Sequence, residues 1–249
     1  MTAMQSPTVD QSEVAYYTRM AQQWWDEQGK FWPLHRLNRL RVNYLRAAIC
    51  NHFGRADSGD KPLEGLSVLD IGCGGGILAE SMALLGASVH GIDVVERNIH
   101  IASQHAAQSG LAIEYEYASV ETLVGRARRY DVLLNMEVVE HVAALPHFLS
   151  HCTQLVKPEG ILFIATINRN LLSWLVAIVG AEYVLRWLPT GTHRWSKFVK
   201  PRELELLLAR DGMSVNASAG VSVNPFTRRF SLTPRLWVNY MLSATARQR

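Results

Sequence analysis

Hydrophobic positions in this chain change rhythm near residue 66. Before it, residues 12–28 and 38–52 carry apolar side chains at helical spacing, with Ser12 placed to cap the first helix and Gly29 to stop it. The FWPLH stretch at 31–35 breaks that pattern at a proline. Residues 55–63, with Gly, Asp, Ser and Pro, read as a linker. Beyond it, strand-length apolar runs at 68–71, 88–92, 113–118, 130–135 and 161–166 alternate with helical stretches at 77–85, 96–109 and 146–156. Repeated βα units predict a parallel sheet with helices on both faces. A helix over 200–209 and extended segments at 213–223 and 236–246 would finish the chain with an antiparallel pair at one edge. The chain thus divides into a helical cap region, 1–65, and an α/β domain, 66–249, with an insertion at about 168–200.

Within that insertion, residues 171–189 (LLSWLVAIVGAEYVLRWLP) fit no ordinary period. The first eleven are apolar on nearly every side, and Glu182 and Arg186 then follow one helical turn apart. A membrane span needs ~20 apolar residues, which this stretch does not offer. Trp174, Tyr183 and Trp187 favour a lipid–water boundary, and Arg169, Arg186, His193, Arg194, Lys197 and Lys200 flank them. A buried helix or a lid over the site would show the same pattern.

Charge sharpens this picture. Residues 1–167 hold 13 Lys/Arg against 18 Asp/Glu, whereas residues 168–249 hold 12 against 4. A cationic final third on an acidic body predicts an anionic partner, either lipid or nucleic acid. The basic residues interleave with apolar ones instead of an aromatic stacking platform, which disfavours nucleic acid. Cys50, Cys73 and Cys152 are too widely spaced for a metal knuckle or a disulfide framework, so a reducing, cytoplasmic setting is expected. The first residues also lack the basic and apolar regions of a secretory signal.

The candidate chemistry centres on VLDIGCGGG at 68–76, followed by the helical ILAESMALL. This order reads as strand, tight turn and helix, with free helix N–H groups facing whatever occupies the turn. A dinucleotide fingerprint counted from Gly72 would place its third small residue at Ile77, which does not fit; counted from Gly74 it reaches Ala79, which fits, but the turn then starts late. Asp70 would also repel a pyrophosphate, while it suits the ammonium and sulfonium of S-adenosylmethionine. Asp93 ends the next strand about twenty residues later, where a carboxylate accepts from a ribose diol. A helix-capping role would place an Asp there too. A ligand-free glycine turn is the remaining structural reading.

These residues resemble a known family. The glycine motif is similar to the first motif of class I S-adenosylmethionine-dependent methyltransferases. From about residue 24 to 242 the chain resembles the ubiquinone biosynthesis O-methyltransferases. The similarity rests on PLHRLN at 33–38, LDIGCGGGILAESMA at 69–83, MEVVEHV at 136–142 and QLVKPEG at 154–160. It extends through INRNLLSW at 167–174, VGAEYVLR at 179–186, GTH at 191–193 and VNYML at 238–242. The resemblance implies a Rossmann-like, mostly parallel seven-stranded sheet with an antiparallel edge strand. It implies transfer of methyl from S-adenosylmethionine to ring hydroxyls of polyprenylated catechol-type intermediates. Cofactor contacts would then fall at Arg41, Gly72, Asp93 and Met136, beside Asp70 and Gly74 of the turn. Arg41 could neutralise the methionine carboxylate. Adenine would lie near Ser119 or Val120, where the family often has an Asp. The implied partners are the polyprenyl phenol or quinol, an anionic membrane surface and other proteins of ubiquinone biosynthesis, with the enzyme resting peripherally on the inner membrane.

A phenol titrates near ~10, so transfer at neutral pH needs help in removing its proton. Glu137, Glu140 and His141 lie at relative positions one, four and five, and would share a face if a helix began after Met136. Such a cluster could hold Mg2+ or another divalent cation that acidifies chelated catechol oxygens, although imidazole is atypical for Mg2+. Alternatively His141 acts as a general base without metal. Acids in a helix's first turn would need neither explanation. The rival functions are a nicotinamide oxidoreductase, a nucleic-acid methyltransferase and a non-catalytic lipid-binding scaffold.

Overall fold

The computed structural model describes residues 6–176, 187 and 194–247. Expectations placed on Glu182, Tyr183, Arg186 and His193 lie outside the described residues.

Five strands form the parallel part of the sheet: β1 (Ser67–Ile71), β2 (Ser88–Asp93), β3 (Glu114–Tyr117), β4 (Tyr130–Met136) and β5 (Val156–Ile167). Strands β6 (Met213–Asn224), β7 (Arg229–Thr233) and β8 (Asn239–Ala246) complete it. The order is β3-β2-β1-β4-β5-β8-β6-β7, with β8 antiparallel to β5 and inserted beside β6. The sheet therefore has eight strands, not the seven expected. The additional strand, β7, lies in the segment left between the two terminal runs. Asn224 turns the chain there by accepting from the Phe226 and Thr227 backbone N–H groups, and RFSLT pairs back on β6.

Alternation along the strands divides the core between two faces. Leu69, Ile71, Ile92, Leu133 and Leu162 pack with Phe148 and Leu149 of α6 (Leu145–Gln154) and Leu204 and Leu208 of α8 (Pro201–Arg210). Val68, Val132, Leu134 and Phe163 face Leu45 and Ile49 of α2 (Trp32–His52) and Met82 of α3 (Ile77–Leu84). The intervening helices are α4 (Glu96–Gln108) and α5 (Val120–Val124), and a single helical turn, α7 (Leu171–Ser173), follows β5.

Two N-terminal expectations change. The first helix, α1, runs only from Gln11 to Met20, and its cap is Asp10, which accepts from the Ser12 backbone. After the short 3-10 turn Ala21–Gln23, Trp24 and Trp25 turn onto the glycine loop. The second helix starts at Trp32, earlier than the proline break suggested, because Pro33 sits in its first turn, where a missing N–H costs nothing.

Candidate active site

The glycine turn is shaped by neighbours that tolerate no side chain. Gly72 and Gly74 have φ of +69° and +55°. An added Cβ at Gly72 would come within 2.6 Å of Val138, and one at Gly74 within 2.6 Å of the Trp24 ring. The Gly72 and Cys73 N–H groups donate to the Ile92 carbonyl, at 2.8 and 3.0 Å, tying the turn to the end of β2. Asp93 completes the link, since one oxygen accepts from Gly74 N–H at 2.9 Å and the other from Val95 N–H at 2.7 Å. Asp93 is thus a structural strut at the end of β2, its carboxylate also held by the Asn98 side chain and the Val94 N–H.

Asp70 and Arg41 are buried charges with unspent capacity. Asp70 is 3% exposed and its Oδ2 has no hydrogen-bond partner. Burial, followed by the charge of Asp93, pushes its pKa up to about 7 against the opposing Arg41 guanidinium. Arg41 is 5% exposed, pairs with the Glu137 carboxylate, and leaves its Nε unpartnered. A buried carboxylate and guanidinium with unmet polar atoms suit a ligand carrying an ammonium and a carboxylate. The residues of the turn therefore fit the amino-acid end of S-adenosylmethionine.

Arg41, Asp70, Gly72, Gly74, Asp93 and Met136 all line one cavity of about 820 Å³, and so do Glu137, Glu140 and His141. Ser119 and Val120 line it as well. The last three acid-base groups are not arranged as anticipated. No helix begins after Met136; Glu137 adopts φ +59° and the chain makes an irregular turn. The shared helical face is therefore absent, and the three ligand atoms do not lie within 4.8 Å of one another. Glu137 accepts from Arg41 and, at 2.8 Å, from Asn239 Nδ2. Glu140 is buried and accepts from the Thr166 hydroxyl at 2.7 Å. Burial and then the Glu137 charge push its pKa up to about 8.

His141 instead belongs to a chain of groups reaching into α1. Its Nδ1 lies 3.1 Å from the Glu13 carboxylate, and its Nε2 lies 3.3 Å from the Tyr17 hydroxyl. A carboxylate can only accept, so Nδ1 carries the proton and Nε2 presents the lone pair. Burial disfavours the imidazolium, but the Glu13 hydrogen bond and the charges of Glu140, Glu13 and Glu137 outweigh it and raise the His141 pKa. The ring thus has an enhanced affinity for a proton at Nε2, the nitrogen beside the Tyr17 hydroxyl.

Sequence reasoning missed Glu13 and Tyr17, although their i, i+4 spacing puts them on one face of α1. Trp24 packs in the N-terminal core cluster, is 9% exposed, stacks on Phe31 with centroids 4.2 Å apart, and lines the cavity above the glycines. The cavity's far side is apolar: Leu37, Ile167, Leu175, Val176 and Phe230 line it. Leu171, Trp174 and Leu175 are 72%, 40% and 46% exposed, so this wall continues onto the outer surface. Among the described residues, no helix is long and apolar enough to cross a membrane.

The profile of a methyltransferase-domain family matches residues 35–217. A ubiquinone biosynthesis O-methyltransferase of Brucella anthropi is 48% identical over 244 residues, covering 98% of each chain. One from Bartonella bacilliformis is 48% identical over 235 residues, covering 94% of this chain and 95% of the relative. Among solved structures, magnesium protoporphyrin IX methyltransferase from Synechocystis, with bound SAH, superposes with a TM-score of 0.67 at 19% identity, covering 96% of this chain and 100% of that one. At that identity the superposition establishes the shared fold.

Proposed function

The chain belongs to the ubiquinone biosynthesis O-methyltransferases, and from that premise we propose how its cavity methylates a polyprenylated catechol with S-adenosylmethionine. The observation that carries the reading is the pairing, in one cavity, of unmet buried charges at Asp70 and Arg41 with a carboxylate-held imidazole at His141. Asp70 and the Arg41 guanidinium hold the methionine ammonium and carboxylate, Asp93 accepts from the ribose hydroxyls, and Gly72, Gly74 and Met136 supply close backbone and an apolar wall. Ser119 and Val120 face the adenine. When bound, the cofactor supplies an electrophilic methyl for in-line displacement.

His141 Nε2 takes the proton from the acceptor hydroxyl, and Glu13 stabilises the imidazolium while fixing the ring's tautomer. The Tyr17 hydroxyl, 3.3 Å from that same nitrogen, gives way to the acceptor hydroxyl as it arrives. A second reading, a divalent cation on Glu137, Glu140 and His141, is favoured by their shared cavity. As they stand the three do not fit a coordination set, because Arg41 and Asn239 already hold the Glu137 carboxylate.

The substrate's tail enters along Leu171, Trp174, Leu175 and Val176, whose apolar surface is continuous with the cavity. Arg194, Lys197, Lys200, Arg228 and Arg235 provide positive charge on the same C-terminal third, and each cation near an anionic surface contributes ~1 kcal/mol. The enzyme therefore associates peripherally and salt-sensitively with anionic lipid. Flotation with anionic vesicles at low salt tests this; a protein that stays unbound leaves the apolar segment as a lid.

The test of the reaction is transfer of labelled methyl from S-adenosylmethionine to a short-chain prenylated catechol, with and without chelator. Transfer is expected in both. No transfer to any catechol contradicts the reading, and loss in chelator alone makes the transfer dependent on a cation.

A further inference from the structure

A second cluster lies outside the methyl-transfer cavity, at the β2–β3 edge of the sheet. His90 of β2 is the register partner of Glu114 of β3, and Glu116, two residues on, projects to the same face. None of the three lines the cavity. We propose that His90, Glu114 and Glu116 form a binding site for a zinc-class divalent ion.

Three observations carry this. First, His90 is 1% exposed, yet its Nε2 has no hydrogen-bond partner and faces the two carboxylates. A buried nitrogen left unmet among acceptors is what a missing cation leaves behind. Second, the spacing is right. Nε2 lies 3.4 Å from Glu116 Oε2 and 3.8 Å from Glu114 Oε1, and one donor from each residue falls within 4.8 Å of the others. Tetrahedral bonds of about 2.0–2.1 Å separate donors by about 3.4 Å, so small side-chain adjustments close the set around an ion. Third, the imidazole is held from behind, with Nδ1 2.6 Å from the Tyr130 hydroxyl. Such an outer hydrogen bond fixes the ring and directs Nε2 to the metal.

The rival occupants are arginines. Arg126 donates to both Glu116 oxygens, at 2.7 and 2.8 Å, and Arg128 to Glu114 Oε2 at 2.7 Å. They satisfy the carboxylates, whereas His90 Nε2, 3.4 Å from Glu116, is near enough for an ion pair but lacks hydrogen-bond geometry, and each arginine is nearly half exposed, so each can turn to water while the carboxylates turn to the ion. Glu114 Oε1 already faces His90 and away from its arginine. One imidazole with two carboxylates favours Zn2+ over Mg2+, which prefers oxygen throughout. A bound ion would fasten the four-residue β3 to β2, the strands that lead into Ser119 and Asp93 of the cavity.

The experiment is calorimetric titration of the full chain with zinc chloride, beside the Glu114→Gln/Glu116→Gln double variant and Arg126→Ala. Wild type is expected to bind one equivalent here, located by zinc anomalous scattering, with affinity at least about 10-fold weaker in the double variant. Arg126→Ala, which frees Glu116 from its competitor, is expected to bind more tightly. The proposal is overturned if wild type binds no zinc, if the double variant binds as well at this position, or if the ion lies only at Glu137, Glu140 and His141. If the double variant fails to fold, Arg126→Ala decides, and unchanged or weaker binding there overturns the proposal.

Discussion

The two halves of the cavity are built in opposite ways. On the cofactor side, Asp70, the glycine turn and Asp93 come from adjacent strand ends within 24 residues, and their backbone hydrogen bonds lock them to one another. On the acceptor side, His141 reaches Glu13 and Tyr17 across 128 and 124 residues, and Glu137 reaches Asn239 across 102. Apart from Arg41, which α2 brings in, the first half is a local product of strand–turn–helix geometry. The second exists only once α1 has docked on the turn after β4, where Val9 also bridges to Val142. Cofactor binding and proton removal should therefore be separable by mutation.

The largest break should come from His141→Ala. Removing the proposed base is expected to lower the methyl-transfer rate by about 10²–10⁴-fold, while the dissociation constant of S-adenosylmethionine stays unchanged in calorimetry. If affinity falls as steeply as rate, the halves are not separate. Asp93→Ala should do the reverse. Loss of a charge-assisted acceptor costs about 1.5–3 kcal/mol, or roughly 10–150-fold in cofactor affinity, and the turn that Gly74 shares with it loosens as well. Undiminished affinity in a folded variant would remove Asp93 from the site.

Glu13→Gln should have a smaller effect, roughly 10-fold on rate, a fraction of the whole general-base contribution. Its signature is in the pH profile. The carboxylate raises the proton affinity of His141, so without it the acid limb of the rate profile should move to lower pH. A uniform drop with no movement of that limb would make Glu13 a packing residue only.

The smallest effect is on proton release. Asp70 titrates at about 7 when folded, against an ordinary 3.8. A raised acid in the folded state means that the unfolded chain ionises first, so the free protein loses stability as pH climbs from about 4 to about 7. A bound ammonium favours the carboxylate, so cofactor binding at pH 7 should release roughly half a proton per site. Calorimetry in buffers of different ionisation enthalpy reads this directly, and zero release would contradict the pairing of Asp70 with the ammonium.

What the sequence disclosed follows the same division. The turn, the strand-end acids and the parallel character of the sheet were legible because each is written in consecutive residues, with glycines, apolar runs and carboxylates at fixed spacing. The eighth strand was not, since RFSLT is short, lies at an edge, and depends on an Asn224 turn that alternation alone does not reveal. The arrangement of Glu137, Glu140 and His141 was misread for a related reason. Their spacing suits a helix, but Arg41 and Asn239 draw Glu137 away at φ +59°, and no local pattern announces partners so distant. Glu13 and Tyr17 sat on one helical face in plain view, without anything nearby in sequence to say what that face would meet.

The separation of the two halves is tested most directly by single-turnover methyl transfer in His141→Ala, saturated with S-adenosylmethionine and followed as a function of pH. If His141 removes the acceptor's proton, the variant's rate should climb tenfold per pH unit toward about 10, where a phenol ionises unaided, and approach wild type there. Wild type itself should level off once pH passes the raised pKa of His141. A variant that keeps the wild-type profile at a uniformly reduced rate would contradict the account, because the imidazole would then be placing the substrate and not taking its proton.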